Sequence, residues 1–186
     1  GLQRAVIHSI PKPTALVLNY PNNPTTLTTT LDFYNQVVDF CRYHEIYILS
    51  DLAYAELYFD NRPPPSILEV PGAKDIAVEF TSMSKTYSMP GWRIGFAAGN
   101  PRLIESLARI KSYLDYGAFT PIQVASTTAL NGPQECVEEM RKLYRERRDV
   151  LINSMSIAGW QIPSPTSTMF AWAPVPPDFL NLGSVG

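Results

Sequence analysis

Apolar residues in this chain follow two patterns that alternate along its length. Short, nearly continuous runs at residues 14–19, 46–51, 76–81 and 93–98 predict buried strands. Between them lie stripes at helical spacing. Phe33, Val37, Phe40 and Cys41 predict a helix that Thr30 can cap, and Leu103, Leu107 and Ile110 predict one that Asn100-Pro101 begins. Helices are also predicted over residues 121–130 and onward from Pro133, the second with Val137, Met140, Tyr144, Val150 and Leu151 as its apolar positions. Residues 159–162 and 169–173 predict two short strands around a Pro/Ser/Thr loop. Turn-forming residues punctuate the pattern at 20–25, and residues 61–72 form a Pro-rich loop.

Continuous apolar strands interleaved with amphipathic helices predict an α/β fold with a mostly parallel sheet. The character changes beyond Gly117, where a long helix leads into a small α+β unit. The expected division is therefore residues 1–140 as part of one large domain and residues 141–186 as the start of a second. In sheets of this kind ligands bind outside the carboxyl ends of the strands. Asn23, Asp51 and Lys85 each fall just past such an end.

Composition narrows the classes of function. A net charge of −2 with dispersed Lys and Arg leaves no electrostatic footprint for nucleic acid or an anionic membrane surface. No apolar run approaches the roughly 20 residues that cross a bilayer. Cys41 and Cys136 do not make a disulfide framework, so reduced thiols in a cytoplasmic protein are expected. Gly1 follows neither an initiator Met nor a signal-peptide pattern, and the expectation is a fragment of a longer protein.

The chemistry concentrates around Lys85, which stands among hydroxyl side chains in Ser82-Met83-Ser84-Lys85-Thr86 with Arg93 beyond a Pro-Gly turn. A lysine whose amine must lose its proton beside an anion is the setting for imine formation. The strand-end residues complement an anionic aromatic cofactor with a pyridine nitrogen. Asp51 offers a carboxylate for that nitrogen, while Tyr54 and Asn23 can donate to a ring oxygen. Ser82 and Arg93 offer a hydroxyl and a bidentate guanidinium to a phosphate, with Ser84 as a further hydroxyl.

Asn22-Asn23-Pro24-Thr25, Ser50-Asp51-Leu52-Ala53-Tyr54 and the run from Ser82 to Gly95 together resemble the class I/II pyridoxal-phosphate aminotransferases of fold type I. The alanine, aspartate and LL-diaminopimelate aminotransferase branch is the most similar. This resemblance implies an incomplete three-layer large domain of that fold and a small α+β domain that is only begun. It implies pyridoxal 5'-phosphate as cofactor, an amino acid and a 2-oxo acid as substrates, and a homodimer. Lys85 would form the Schiff base and shuttle the proton at the substrate α-carbon. Asp51 would pair with the ring nitrogen, Asn23 and Tyr54 with the ring oxygen, and Ser82, Ser84 and Arg93 with the phosphate. The family's phosphate-cradling turn, its ring-stacking aromatic and its substrate-carboxylate arginine have no counterpart in this chain, so the isolated chain is expected to bind cofactor poorly and not to turn over. Thr26 stands where the family usually has Gly, which should stiffen the loop. Ser88 stands where Asn is commoner, with little effect expected.

Other readings compete. Asn23 could be only a turn former, and Cys41 with His44 is half of a metal site, so no metal is expected. Trp160, Phe170 and Trp172 read as core of the small unit. Ser82-Met83-Ser84-Lys85 also fits the S-x-x-K signature of acyl enzymes, but no S-D-N or K-T-G element accompanies it, and Ser82 is expected to end a strand rather than open a helix. A catalytically silent fragment or a sensor-type aminotransferase domain is the remaining alternative.

Overall fold

The computed structural model describes residues 1–183. A four-stranded sheet forms its centre, with β1 (Ala15–Asn19), β2 (Tyr47–Asp51), β3 (Ala77–Ser82) and β4 (Gly95–Gly99) side by side in that order. β1, β2 and β3 run parallel, and β4 is antiparallel to β3. The helices are α1 (Leu2–His8), α2 (Leu31–His44) between β1 and β2, the single turn α3 (Met83–Thr86), α4 (Pro101–Leu114), α5 (Thr120–Asn131) and α6 (Glu135–Ile157).

α2 forms where the apolar stripe predicted it. Thr30 Oγ1 accepts from the Phe33 amide at 3.2 Å at one end, and Glu45 in the left-handed region closes the other. Its buried face carries Tyr34, Val37, Val38 and Cys41, which pack on Leu18 and Ile48 of the sheet and on Ile67, Val70 and Ala73 of the connection before β3. Burial of each large side chain contributes about 1.5–3 kcal/mol. β3 itself carries Glu79, 6% exposed, whose carboxylate accepts from Ser50 Oγ (3.2 Å), Ser66 Oγ (2.6 Å) and the Ile67 amide (3.0 Å). That network draws Ser50 to the core side of β2. Because strand side chains alternate in direction, Asp51 is sent to the opposite face.

Several expectations are corrected. Arg93 does not head a buried strand. Pro90–Trp92 make a helical turn, Arg93 follows at φ 53° with its side chain exposed, and β4 starts only at Gly95. β4 itself is largely exposed. Its pairing depends on glycine, since a Cβ at Gly95 would collide with the Thr81 carbonyl oxygen. The apolar stripe of α4 is not buried either: Ile110 is exposed, and Leu107 lines an open cleft of about 530 Å³ against β4 and α5. Residues 159–162 and 169–173 form no strands. Among the described residues their neighbourhood offers only the isolated bridge Tyr58–Ser167, and a strand without a partner cannot satisfy its backbone. Trp160 Nε1 instead reaches the Pro174 carbonyl at 3.0 Å. α6 is the long helix expected onward from Pro133, and residue 140 lies within it. Residues 184–186 of the expected second unit lie outside the described residues.

α6 is fastened by two arginines two turns apart. Arg141 lies 4.0 Å over the Tyr58 ring and donates to Glu56. Arg148 lies 4.8 Å over Phe59, forks onto both oxygens of Asp60 at 2.7 and 3.3 Å, and reaches the Pro165 carbonyl at 3.2 Å. The Arg148 side chain is only 9% exposed. Arg148→Ala therefore removes a ring contact, a fork and a carbonyl donor together, and about 2 kcal/mol of stability should be lost in urea denaturation. A loss below about 0.5 kcal/mol would show that Arg148 does not fasten α6 measurably. The Asp60 carboxyl is held below its ordinary value mainly by the Arg148 hydrogen bond. This part of the stabilisation is thus present above the ordinary carboxylate range and is lost as pH falls through that range to the lowered value of Asp60.

Thr26 adopts φ 63°, a left-handed conformation unfavourable to a β-branched residue, and Ser88 lies at φ 51°. Thr26→Gly removes that cost but enlarges the entropy of the unfolded chain, so the expected net gain is about 1 kcal/mol. A thermal melt of the variant should rise by roughly 2–4 °C; a fall would mean that the Thr26 side chain supports the loop.

Candidate functional site

The parallel pairing brings the sequence-predicted residues to one end of the sheet. Asn19 and Asp51 stand opposite each other at the ends of β1 and β2, and Asp51 is level with Phe80 on β3, two residues before β3 ends at Ser82. α3 follows at once and carries Lys85. Three strand ends and the loops leaving them thus converge, as the parallel sheet requires.

Tyr54 is the buried hub of this cluster. Its hydroxyl lies 3.5 Å from Asn23 Nδ2, and Lys85 Nζ lies 6.0 Å from its ring centre. Burial, followed by the negative charge of Asp51, raises the Tyr54 phenol above its ordinary range, opposed by the Asn23 hydrogen bond. The phenol therefore keeps its proton at neutral pH and remains a donor. Phe170 packs edge-on against the same ring at 5.6 Å, so this residue, read from sequence as distant core, belongs beside the site. Asp51 is exposed, with Oδ1 accepting from the Ala53 amide at 3.1 Å, which leaves lone pairs free for a ligand. Among the described residues Lys85 Nζ has neither an ion-pair nor a hydrogen-bond partner, and it is half-buried.

Ser82 and Arg93 form a second group. Antiparallel pairing of Ser82 with Gly95, and a 3.2 Å bond from the Met83 amide to the Ile94 carbonyl, set Arg93 beside the start of α3. Arg93 donates to the Pro90 carbonyl at 3.1 Å and is otherwise open to solvent. Ser84 is buried within α3. Among the described residues no hydrogen bond joins Arg93 to Asn23, Asp51 or Tyr54, so the two groups are neighbours rather than one network. Ser82 does open a helix as well as end a strand, contrary to expectation, because its Oγ caps α3 by accepting from the Ser84 amide at 3.1 Å. That acceptance leaves the Ser82 proton free to donate, and among the described residues no hydrogen bond joins Ser82 to Lys85, unlike a serine activated by a lysine base.

Sequence reasoning missed Asn19, whose side chain braces this corner, and Phe170. Asn19 stands at the head of the same Asn/Pro cluster as Asn23, and that was the available signal; nothing local points to Phe170. Cys41 is buried and burial pushes its thiol up to about 11, while His44 packs tilted against Phe40 and edge-on against Tyr43. Among the described residues no group of three or more His, Cys, Asp or Glu could hold a metal, and no helix is long and apolar enough to cross a membrane.

Residues 2–181 match the family Aminotransferase class I and II. The chain belongs to this family. AatC of Rhizobium meliloti (strain 1021) is 64% identical over 99% of the chain and 45% of the relative. Glutamate-pyruvate aminotransferase AlaC of Escherichia coli (strain K12) is 46% identical with the same coverage. An aminotransferase structure from Staphylococcus aureus superposes with a TM-score of 0.83 at 32% identity, covering 89% of this chain and 44% of that one. The chain thus spans about 45% of the length of these aminotransferase-family relatives. Its α/β architecture with a mostly parallel sheet is that of the fold-type-I aminotransferases.

Proposed function

We propose that the intact protein is a pyridoxal-phosphate-dependent aminotransferase that exchanges an amino group between an amino acid and a 2-oxo acid, with Lys85 as the imine-forming residue. The observation that carries this reading is the convergence of Asn23, Asp51 and Lys85 around Tyr54. Their donor set fits the cofactor: a carboxylate for a protonated ring nitrogen, a carboxamide and a phenol for a ring oxygen, a free amine for a carbonyl carbon, and a guanidinium and hydroxyls at the neighbouring corner for a phosphate. Bound there, pyridoxal phosphate supplies an aldehyde carbon and a cationic ring that withdraws electrons from the substrate α-carbon.

The residues of this chain do the rest. Asp51 keeps a proton on the ring nitrogen by its charge. Asn23 Nδ2 and Tyr54 Oη hold the ring oxygen, and Tyr54 can do so because its phenol stays protonated. Arg93 and Ser82, with Ser84, hold the phosphate. Lys85 Nζ takes and returns the proton at the substrate α-carbon, a role that needs an amine free of competing ion pairs.

Residues 1–140 belong to the cofactor-binding domain in this reading, and residues 141–186 begin the smaller one. The protein acts in the cytoplasm as a homodimer, and exposed Tyr113 in the last turn of α4 with exposed Tyr116 and Phe119 in the link to α5 support the dimer.

The test is to mix the intact protein with pyridoxal phosphate, reduce with borohydride and map the modified peptide. The label is expected on Lys85. Labelling elsewhere, or none, overturns the proposal, and a penicillin-type adduct on Ser82 would favour acyl transfer instead.

A further inference from the structure

Asn19 makes three hydrogen bonds through one side-chain amide at the foot of the site. Its Oδ1 accepts from the Asn23 backbone amide at 3.0 Å and from Asn22 Nδ2 at 3.0 Å, and its Nδ2 donates to the Asp51 carbonyl at 3.2 Å. Two of the three bonds land on the backbones of residues whose side chains face the proposed cofactor. Those two residues come from different elements, one from the loop after β1 and one from the end of β2. The register sets Asn19 directly opposite Asp51, so the carboxamide spans the strand gap without reaching. Asn22 extends the brace, since its Oδ1 accepts from the Thr25 amide at 3.1 Å.

We propose that Asn19 is a positioning residue that fixes Asn23 and Asp51 in one frame, so that the donor to the ring oxygen and the carboxylate facing the ring nitrogen keep a constant separation. This inference rests on the cofactor reading above and deepens it. A rigid ring held by both residues would tolerate little change in their separation. A carboxamide suits the place because it presents an acceptor toward the loop and a donor toward β2 at the same time. Aspartate would keep the acceptors but set an anionic oxygen against the Asp51 carbonyl; alanine would release both ends.

The experiment compares Asn19→Ala and Asn19→Asp in the intact protein with Thr30→Ala. Thr30 caps α2 by accepting from the Phe33 amide, and among the described residues its side chain makes no hydrogen bond to Asn19, Asn23 or Asp51, so its loss lowers stability through the helix cap alone. Three quantities are read: the melting temperature of the cofactor-free protein, the dissociation constant for pyridoxal phosphate, and the pH midpoint of the visible absorption band of the loaded protein. Both Asn19 variants should bind pyridoxal phosphate roughly tenfold more weakly, by the size of the hydrogen bonds removed and the usual effect of a supporting partner. Both should also shift the pH midpoint, while Thr30→Ala lowers only the melting temperature. Affinity within about twofold of the unaltered protein together with an unmoved midpoint overturns the positioning role. The cofactor reading then still stands if borohydride labels Lys85; absence of that label overturns both. Should neither Asn19 variant fold, amide exchange in the unaltered protein decides: the Asn23 amide should be protected, and free exchange there overturns the proposal.

Discussion

Replacing Lys85 by alanine is expected to lower the rate of amino-group transfer by at least about 10⁴-fold, because the chain loses both its imine-forming nucleophile and its proton carrier at once. Folding should survive the change. Lys85 Nζ makes no hydrogen bond or ion pair among the described residues, and the packing of α3 depends on Met83, Ser84 and Thr86, which are buried around it. The melting temperature of the cofactor-free variant should therefore stay close to that of the unaltered protein. Lys85→Arg is the sharper test, since it keeps the charge and most of the length. A guanidinium does not give up its proton near neutral pH and cannot serve as the nucleophile, so this variant should be as inactive as the alanine one. Steady-state rates with an amino donor and a 2-oxo acceptor measure both. Activity of Lys85→Arg within about tenfold of the unaltered protein would mean that the lysine acts only as a charge, and the mechanism would need another nucleophile.

The parts of this arrangement that could be read from the sequence are those set by local pattern. The runs that became β1, β2 and β3 pair in parallel, and such strands carry continuous apolar residues whatever lies elsewhere in the chain, yet only the first half of β3 is buried throughout, while β1 and β2 leave Val17 and Tyr47 exposed. Thr30 and Asn100 announced α2 and α4 because capping is a matter of a few residues; Asn100 Oδ1 accepts from the Leu103 amide at 3.0 Å. Asn23, Asp51 and Lys85 could be placed at strand ends for the same reason.

What escaped is what depends on partners distant in sequence. Residues 159–162 and 169–173 have the composition of strands, but a strand forms only with a neighbour to pair with. Arg93 adjoins an apolar run, yet the Pro-Gly turn before it and its positive φ delay the strand by two residues and leave the side chain in solvent. Glu79 reads as one polar position in an apolar run; three donors from two other segments make its burial tolerable. Thr26 shows the reverse case. The departure from Gly was visible in the sequence, but only the backbone angle gives it a cost.

Asp51→Asn should cost about 10³-fold in the transfer rate, while cofactor affinity falls far less. The argument is electrostatic. A carboxylate at ion-pair range from a protonated ring nitrogen contributes about 4 kcal/mol at the effective dielectric of a protein surface, which corresponds to about three pH units in the nitrogen's proton affinity. Asparagine matches the shape of aspartate and can still accept from the Ala53 amide, so the turn after β2 should be kept. It carries no charge, and the ring nitrogen would be left largely unprotonated at neutral pH. Electron withdrawal from the substrate α-carbon then weakens, whereas the phosphate contacts of Ser82 and Arg93 and the ring-oxygen contacts of Asn23 and Tyr54 are untouched. The sign with pH separates this cause from simple misfolding. Lowering the pH supplies the missing proton from solvent, so the residual rate of Asp51→Asn should rise relative to the unaltered protein as pH falls from about 8 to 6. Rate measurements across that range, with the cofactor held at saturation, decide it. A variant that loses activity by the same factor at every pH would show that Asp51 shapes the loop leading to Tyr54 and does not hold a proton on the ring.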